Sequence, residues 1–312
     1  MTSADDGFTQ FDDLLAAHPQ ADSPWHVGQY LPSLDLLRSL LSLPISSGDK
    51  QESGRPAKAF DAWIAHELRR AGFSEDGVWP RARRPRVGVE GNGPLEDAAS
   101  RLKAQLTEIE SGGNRLKPAK LRNAILSVIR SVPGSSSAYV LGDFYSKQID
   151  VGLSSWKRGP DILISTKTMF SAYGKNLKNR HEEAVGEVLS LRRRHPMATM
   201  GYAYLVRQDI LSEPNSLATL YDILRRLRRP GETFDATMLI VIDWDDADLE
   251  RGVTHFEQPA VDLGAARFFT DMVEATLDRT PSREHRAARM RHGAMPVGGL
   301  DPEEDEADYE AE

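Results

Sequence analysis

The chain has 312 residues, 40% of them hydrophobic, and is long enough for one large domain or two ordinary ones. It contains no cysteine, which excludes disulfides and thiolate metal sites, and no apolar run approaches ~18 residues, so we expect a cytoplasmic protein without a membrane span or export signal. The net charge of −8 does not exclude a nucleic-acid partner. Residues 301–312 carry eight acids and no base, so the rest of the chain has equal numbers of acidic and basic residues.

Residues 1–56 are predicted to form a polar N-terminal segment that holds one leucine-rich helix over residues 31–43. Residues 57–73 then predict the first helix of an α/β domain, since Phe60 and Ile64 lie at helical spacing on an apolar stripe. Glu67 falls on the same stripe. A carboxylate directed inward is costly unless it is paired or binds a metal ion, so a metal-site role and a position at the boundary of the stripe both remain open for Glu67.

A basic loop follows this helix. It carries four arginines within six residues: Arg81, Arg83, Arg84 and Arg86. Such a cluster is either a solvated surface loop or an arm that contacts phosphate groups of DNA. Two further helices are predicted over about residues 95–109 and 118–132, and they indicate a helical insertion at about 94–133 whose role in packing, recognition or dimer contact stays open.

After a first strand at 137–144, two alternating segments, residues 148–153 and 161–167, predict an antiparallel hairpin, because turn-forming residues join them. The apolar positions of both strands are expected on one face: Ile149, Val151, Leu153, Ile162 and Ile164. Any register that keeps these together leaves Asp150 opposite or diagonal to Ser165 and Lys167, at about 5 to 8 Å between Cβ atoms. The pattern predicts a carboxylate held beside an ammonium group.

The next segment, residues 176–194, predicts a helix that has Glu182, Glu183 and Glu187 near its start, where its first turn can bring a second carboxylate to the hairpin. Three cations lie between the hairpin and these glutamates, at positions suited to contact a DNA backbone: Lys175, Lys178 and Arg180. Further strands are predicted over 200–206 and 235–243, and further helices over 217–229 and 263–277. Residues 280–312 are predicted to be disordered, with an acidic end.

An aspartate on one strand, an x-Lys motif on the next strand and a helix after it resemble the PD-(D/E)XK nuclease superfamily. The acidic residue that usually stands two positions before the lysine is Ser165 in this chain. In this respect the chain resembles the type II restriction endonuclease branch that has Ser-x-Lys on the strand and the missing carboxylate on the following helix. The resemblance implies that Glu182 or Glu183 is that migrated carboxylate.

The Pro160-Asp161 pair matches the letters of the superfamily motif, but Asp161 lies four residues before Ser165 on the same strand, about 13 Å away. Asp150 is therefore the better candidate for the superfamily's aspartate. The resemblance also implies that the first core helix brings a glutamate to the metal site, a role that Glu67 fits.

The resemblance implies an α/β fold with a restriction-endonuclease-like core over residues 57–279, in which a mixed central sheet is flanked by helices. It implies that Mg²⁺ is held by Asp150 with Glu183 or Glu182, and that Lys167 faces the attacking water and the scissile phosphate. The implied activity is hydrolysis of double-stranded DNA by a homodimer or larger homo-oligomer, in restriction or other anti-phage defence. The alternative is a catalytically inactive nuclease-fold subunit that binds DNA or a partner, which Ser165 in place of an acid favours.

Overall fold

The computed structural model describes residues 7–18, 22–49, 53–82, 85–88, 138–155, 157–258 and 260–293, together with helical positions 101, 102, 104 and 107. Its strands, in chain order, are β1 (Trp25–His26), β2 (Gln29–Tyr30), β3 (Val78–Trp79), β4 (Ala138–Leu141), β5 (Ser146–Ile149), β6 (Val151–Ser155), β7 (Gly159–Met169), β8 (Thr199–Arg207), β9 (Ala236–Asp243) and β10 (His255–Glu257). Its α-helices are α1 (Asp12–Ala17), α2 (Leu34–Ser46), α3 (Arg55–Arg70), α4 (Tyr173–Arg194), α5 (Pro214–Leu227), α6 (Ala265–Arg279) and α7 (Arg286–His292).

Six of these strands form a mixed central sheet in the order β10-β9-β8-β7-β6-β3. The pairs β7–β8 and β8–β9 are parallel, while β3–β6, β6–β7 and β9–β10 are antiparallel. Helix α4 connects β7 to β8 and α5 lies between β8 and β9, as parallel neighbours require a crossover. The expected mixed central sheet flanked by helices is therefore confirmed, together with the antiparallel pairing of β6 and β7.

Alternate side chains of the sheet enter two apolar layers. On β8, Ala203 and Leu205 belong to the layer formed with α2, α3 and α6, whereas Tyr202 and Tyr204 belong to the layer formed with α4 and α5. Because successive side chains of a strand point to opposite faces, helices on both sides are needed to keep these residues from water. The sheet is therefore covered on both faces.

The predicted hairpin differs from the structure at its first strand. Its N-terminal part, β5, leaves the central sheet and pairs with β4 in a separate two-stranded sheet, with Ala138 opposite Ile149. Ile149 lies in the α4-side layer, while Val151 lies in the α3-side layer, so the expectation of one shared apolar face is wrong for Ile149. The chain changes direction at Asp150, which lies between the two strands.

The first partner of β6 is also different from expectation. Residues 138–141 are a strand, as predicted, but the edge of the central sheet next to β6 is β3, whose Trp79 pairs with Gly152. A Cβ atom at position 152 would lie 2.7 Å from the carbonyl oxygen of Ile162 and would collide with the Trp79 indole. The glycine therefore allows the indole to cover the sheet edge.

The C-terminal prediction of disorder is wrong for residues 280–293, because α7 packs onto the domain. Ala288 is fully buried, and the Arg289 guanidinium donates to the carbonyl oxygens of Leu277 at 2.6 Å and Thr280 at 2.8 Å. Gly72, at φ +103°, allows this approach, since a Cβ there would lie 2.7 Å from the Ala288 amide nitrogen. Residues 294–312 lie outside the described residues.

Two other predictions concern the periphery. Within the predicted N-terminal segment, residues 7–17 dock on the domain through Phe11, which is fully buried in the α3-side layer. The predicted helical insertion lies outside the described residues except for the four helical positions at 101–107. No helix in the described part of the chain has the length and apolar character needed to span a bilayer.

Candidate active site

Asp150 lies where the chain leaves the β4–β5 pair and enters the central sheet. Its carboxylate Oδ2 accepts a hydrogen bond from the backbone amide of Thr166 on β7, at 2.9 Å. The β6–β7 pairing ends at Val151, which lies opposite Ile164. Beyond this pair, the Asp150 carboxylate takes the place of a main-chain carbonyl as the acceptor for β7. This bond holds the Asp150 side chain at the middle strand of the sheet.

Ser165 and Lys167 lie on the α4 side of β7, separated by one residue as the alternation predicts. The Ser165 hydroxyl is buried and donates to the Glu187 carboxylate of α4. Lys167 is half-buried, and its positive charge opposes the pKa increase of both Asp150 and Glu187. The structure therefore brings Asp150, Ser165, Lys167 and Glu187 together at one place.

The carboxylate that α4 delivers is Glu187, not Glu182 or Glu183. Both predicted glutamates are exposed, and Glu183 pairs with Arg180 at 2.7 Å on the helix surface. Glu187 is positioned inward because it lies three residues after the buried Ala184 and four before the buried Leu191. That spacing is visible in the sequence and was the available signal for Glu187.

A second acidic side chain that the sequence reasoning missed comes from α3. Asp61 is buried, and its Oδ1 accepts a hydrogen bond from the Thr166 hydroxyl at 2.6 Å. Thr166 thus binds Asp150 through its amide and Asp61 through its side chain. Asp61 lies three residues before Ile64 and seven before Leu68, on one inward stripe of the helix, which was the sequence signal for it.

Burial dominates the electrostatics of this cluster. It raises the pKa of Glu187, an effect that the Lys167 ammonium and the Ser165 hydroxyl oppose and the Asp150 charge increases. Burial likewise raises the pKa of Asp150, against the attraction of Lys167. The pKa of Asp61 is raised well above its ordinary value, first by burial and then by repulsion from Asp150. Asp150 thus repels both Asp61 and Glu187, and a cation beside Asp150 would relieve this repulsion.

Two buried tyrosines lie beside the cluster on β8. Tyr202 is registered with Ser165 and Tyr204 with Lys167, so both rings stand on the α4 side of the sheet. Their hydroxyl groups are 3.5 Å apart. Burial raises the pKa of Tyr202 well above its ordinary value, and repulsion from Tyr204 adds to it, so Tyr202 is a neutral hydrogen-bonding group at this site.

Glu67 does not reach this cluster. It is fully buried, and its carboxylate accepts hydrogen bonds from the Tyr30 hydroxyl at 2.9 Å, the Ser33 amide at 3.0 Å and the Arg70 guanidinium at 2.7 Å. These three donors compensate the cost of burying the negative charge of Glu67. Glu67 therefore joins α3 to the chain around β2 and is paired within the fold, while its expected metal-site role stays a prediction.

Asp161 is likewise engaged elsewhere. Its carboxylate receives the Arg158 guanidinium at 2.7 Å and faces the His285 Nε2 at 3.2 Å. These contacts join the β6–β7 turn to the segment before α7. Asp161 of the literal Pro160-Asp161 motif thus forms a structural ion pair with Arg158 and, within the described part of the chain, no hydrogen bond or ion pair with the cluster.

The basic loop is only partly available to a phosphate. The Arg86 guanidinium is buried and donates to both oxygens of Asp12, at 2.8 and 2.9 Å, while Arg81 is buried and donates to the Pro85 carbonyl at 2.7 Å. Arg86 thus joins the loop to α1, and Arg81 closes the loop on itself. The expected DNA contact of these two arginines stays a prediction. Arg83 and Arg84 lie outside the described residues.

Lys175, Lys178 and Arg180 are exposed on the first half of α4, as a backbone-contacting surface requires. They lie on the helix that carries Glu187, ahead of it in the chain. Their proposed contact with DNA stays a prediction.

The number of carboxylates in the cluster fits the requirements of a magnesium ion. Asp150 and Glu187 supply two carboxylates, and Mg²⁺ prefers one or two carboxylates with several retained waters over a cage made wholly of protein ligands. Within the described ranges, no group of three or more His, Asp or Glu side chains is arranged to hold a metal ion jointly. The residues thus fit a site with two protein carboxylates and not one with three.

Comparison of the chain with protein-family models, with curated proteins and with solved structures found no match.

Proposed function

We propose that this chain is a Mg²⁺-dependent endonuclease that hydrolyses phosphodiester bonds of double-stranded DNA, and that its sheet is a restriction-endonuclease-like core. One observation carries the proposal: Glu187, on the helix after the Ser-x-Lys strand, meets Ser165 beside Asp150 and Lys167. An acid moved from the strand to the helix is the arrangement implied by the resemblance, although the residue is not one of the two glutamates expected.

Each side chain has a role that follows from its position. Asp150 and Glu187 would hold the ion, which when bound supplies an electrophilic clamp on the phosphate and lowers the pKa of a water. Lys167 would neutralise the phosphate and orient the attacking water, since its ammonium faces both carboxylates. Ser165 orients Glu187 through its hydroxyl, and Thr166 fixes Asp150 through its amide.

The second candidate is a nuclease-like module without catalysis that binds DNA or a partner subunit. Two observations favour it: a serine stands where an acid is usual, and no three-residue acidic or histidine group is arranged for a metal among the described residues. The Coulomb repulsion within the cluster argues the other way, because a scaffold has no need to bury three carboxyl groups around one lysine.

Incubation of supercoiled plasmid with the protein and Mg²⁺ tests the proposal. We expect nicked and linear products, lost with Lys167→Ala and with Asp150→Asn and retained with Glu183→Gln, which alters an exposed glutamate of the same helix. Cleavage that survives both site substitutions would exclude this cluster as the active site. Absence of cleavage with retained DNA binding would favour the inactive module.

Action in restriction or anti-phage defence and assembly as a homodimer or larger homo-oligomer belong to the same proposal. The role in defence rests on the resemblance alone. The oligomer follows from the resemblance too, because a nuclease of this kind usually needs two such sites to cut two strands. Sedimentation of the protein with and without DNA tests the assembly.

A further inference from the structure

The β4–β5 ribbon, residues 138–149, presents aromatic side chains to solvent next to the candidate active site. Phe144 is 79% exposed, and Tyr139 and Tyr145 are each 66% exposed. Phe144 and Tyr145 form the tip, and their ring centroids are 6.4 Å apart. Large exposed rings of this kind mark a surface that binds something.

The tip is held in a defined position by α4. The Asp143 amide donates to the Ser190 hydroxyl at 3.0 Å, and the His195 Nε2 lies 2.9 Å from the Leu141 carbonyl oxygen. A Cβ at Gly142 would lie 2.5 Å from the Ser190 hydroxyl oxygen, so the glycine permits this close approach. The helix that carries Glu187 therefore also fixes the aromatic tip.

Lys147 connects the tip to the carboxylate cluster. It stands on the inner face of the ribbon opposite Val140, and its ammonium lies 5.3 Å from the centroid of the Tyr145 ring. The same ammonium is near enough to Glu187 to oppose the increase of that carboxyl's pKa. A cation thus lies between an exposed aromatic face and Glu187, one of the two residues proposed to hold the metal ion.

The chain itself gives the distance between the tip and the cluster. Strand β5 runs from Ser146 to Ile149 and leads directly into Asp150, so the tip lies at most about 17 to 20 Å from Asp150 at strand rise. This span corresponds to about five or six base steps of B-DNA, at ~3.4 Å each. A nucleic acid bound at the cluster therefore reaches the tip within about six nucleotides.

We propose that the β4–β5 ribbon is a stacking platform for unpaired bases of the nucleic-acid substrate, with Phe144 and Tyr145 against the base faces and Lys147 at the intervening backbone phosphate. The inference rests on the proposed nuclease function and narrows its substrate to DNA with an unpaired or splayed base near the cut. Exposed rings interleaved with a cation are the combination that binds single-stranded segments, because every base offers a π face that a duplex conceals.

Binding without divalent metal tests this, because cleavage then does not enter the measurement. Fluorescence anisotropy is measured with three DNAs of one sequence: a blunt duplex, the same duplex with a three-nucleotide bulge, and the single strand. We expect tighter binding of the bulged and single-stranded DNAs. Phe144→Ala/Tyr145→Ala should weaken both by about 5-fold to 100-fold per stacked base, with little effect on the blunt duplex.

Val261→Ala is the matched control, since Val261 is 92% exposed and lies outside the ribbon. It should leave all three affinities unchanged. A 2-aminopurine placed in the bulge should lose fluorescence on binding to the unsubstituted protein and not on binding to the double variant. Equal affinities for the three DNAs, or an unchanged bulge affinity in the double variant, would overturn the inference.

Three further outcomes separate the possibilities. If the unsubstituted protein sediments as an oligomer that the double variant dissociates, the tip is a protein interface and the stacking role is refuted. If bulge-selective binding is present but Mg²⁺ gives no cleavage, the ribbon's role stands and the proposed nuclease function fails. Mg²⁺-dependent cleavage with an unchanged bulge affinity in the double variant would refute the stacking role and leave the nuclease function standing.

Discussion

Glu187→Gln changes charge and little else at the candidate site. The glutamine side chain has nearly the size of glutamate and keeps an Oε1 that can accept the Ser165 hydroxyl. What disappears is the negative charge that faces Lys167 and Asp150. The substitution therefore separates a role in catalysis from a role in packing.

The two roles predict effects of opposite sign. Removal of one electrostatic contact made in the transition state costs about 10²- to 10³-fold in rate, or ~2.7 to 4 kcal/mol. Stability should change the other way, because the pKa of Glu187 lies above its ordinary value of 4.5 in the folded protein. Its contribution to stability is complete below pH 4.5 and is lost as the pH rises through the folded pKa, at up to ~1.4 kcal/mol per pH unit. The neutral glutamine does not titrate and avoids this loss.

Single-turnover cleavage of plasmid in Mg²⁺ and urea unfolding at about pH 5 and about pH 8 measure the two quantities. Glu187→Gln should cleave at least about 100-fold more slowly than the unsubstituted protein and unfold at an equal or higher urea concentration at the higher pH. Glu183→Gln is the control, since Glu183 lies one turn earlier on α4 and is exposed. Equal cleavage by the two variants, or a rate loss that parallels a loss of stability, would refute the assignment of Glu187.

Three other substitutions test further charged groups of the domain. Lys147→Ala should reduce the slope of log affinity for single-stranded DNA against log salt by about 0.7, whereas Lys157→Ala, in the β6–β7 turn, should not. Equal slopes for the two variants would show that Lys147 does not contact the backbone. Asp61→Asn should gain stability over the unsubstituted protein as pH rises, because the raised pKa of Asp61 makes its ionisation costly to the fold, and a pH-independent difference in urea unfolding would contradict this. Asp235→Ala should cost about 3 to 5 kcal/mol in urea unfolding, because it leaves the guanidinium groups of two arginines without their shared carboxylate, and a cost below about 1 kcal/mol would show that these arginines find other partners.

The elements that the sequence predicts well are long and uniform. Strand β7 spans 11 residues, and the alternation recognised over residues 161–167 places Ser165 and Lys167 on one face, as the structure has them. The buried run at β9 and the amphipathic helices α3 and α6 are found for the same reason. The edge strand β3 has two residues, and no periodicity can be recognised in so short a segment.

The candidate site lies where that periodicity fails. The alternation of apolar residues predicts one strand over residues 148–153. In the structure, however, the Asp150 carboxylate accepts a hydrogen bond from the Thr166 amide and so replaces a main-chain acceptor. The exchange ends the backbone pairing at Val151 and turns the preceding residues into a ribbon of their own. The pattern of apolar residues cannot show that a side chain competes with the backbone for one N–H donor. Here that competition decides where the chain turns.

The position of the helical carboxylate follows from similar reasoning. Counted from the helix start, Glu182 and Glu183 look best placed, because proximity along the chain suggests proximity to the hairpin. Helix α4, however, begins at Tyr173 and crosses over to β8, so its inward stripe and not its first turns meets Ser165. Glu187 lies about 6 Å further along the axis than Glu183 at 1.5 Å per residue, which carries its carboxylate from solvent to the face of the sheet. Position along the helix axis, together with closeness to the inward stripe, selects the residue that meets Ser165, whereas proximity to the lysine in the sequence does not.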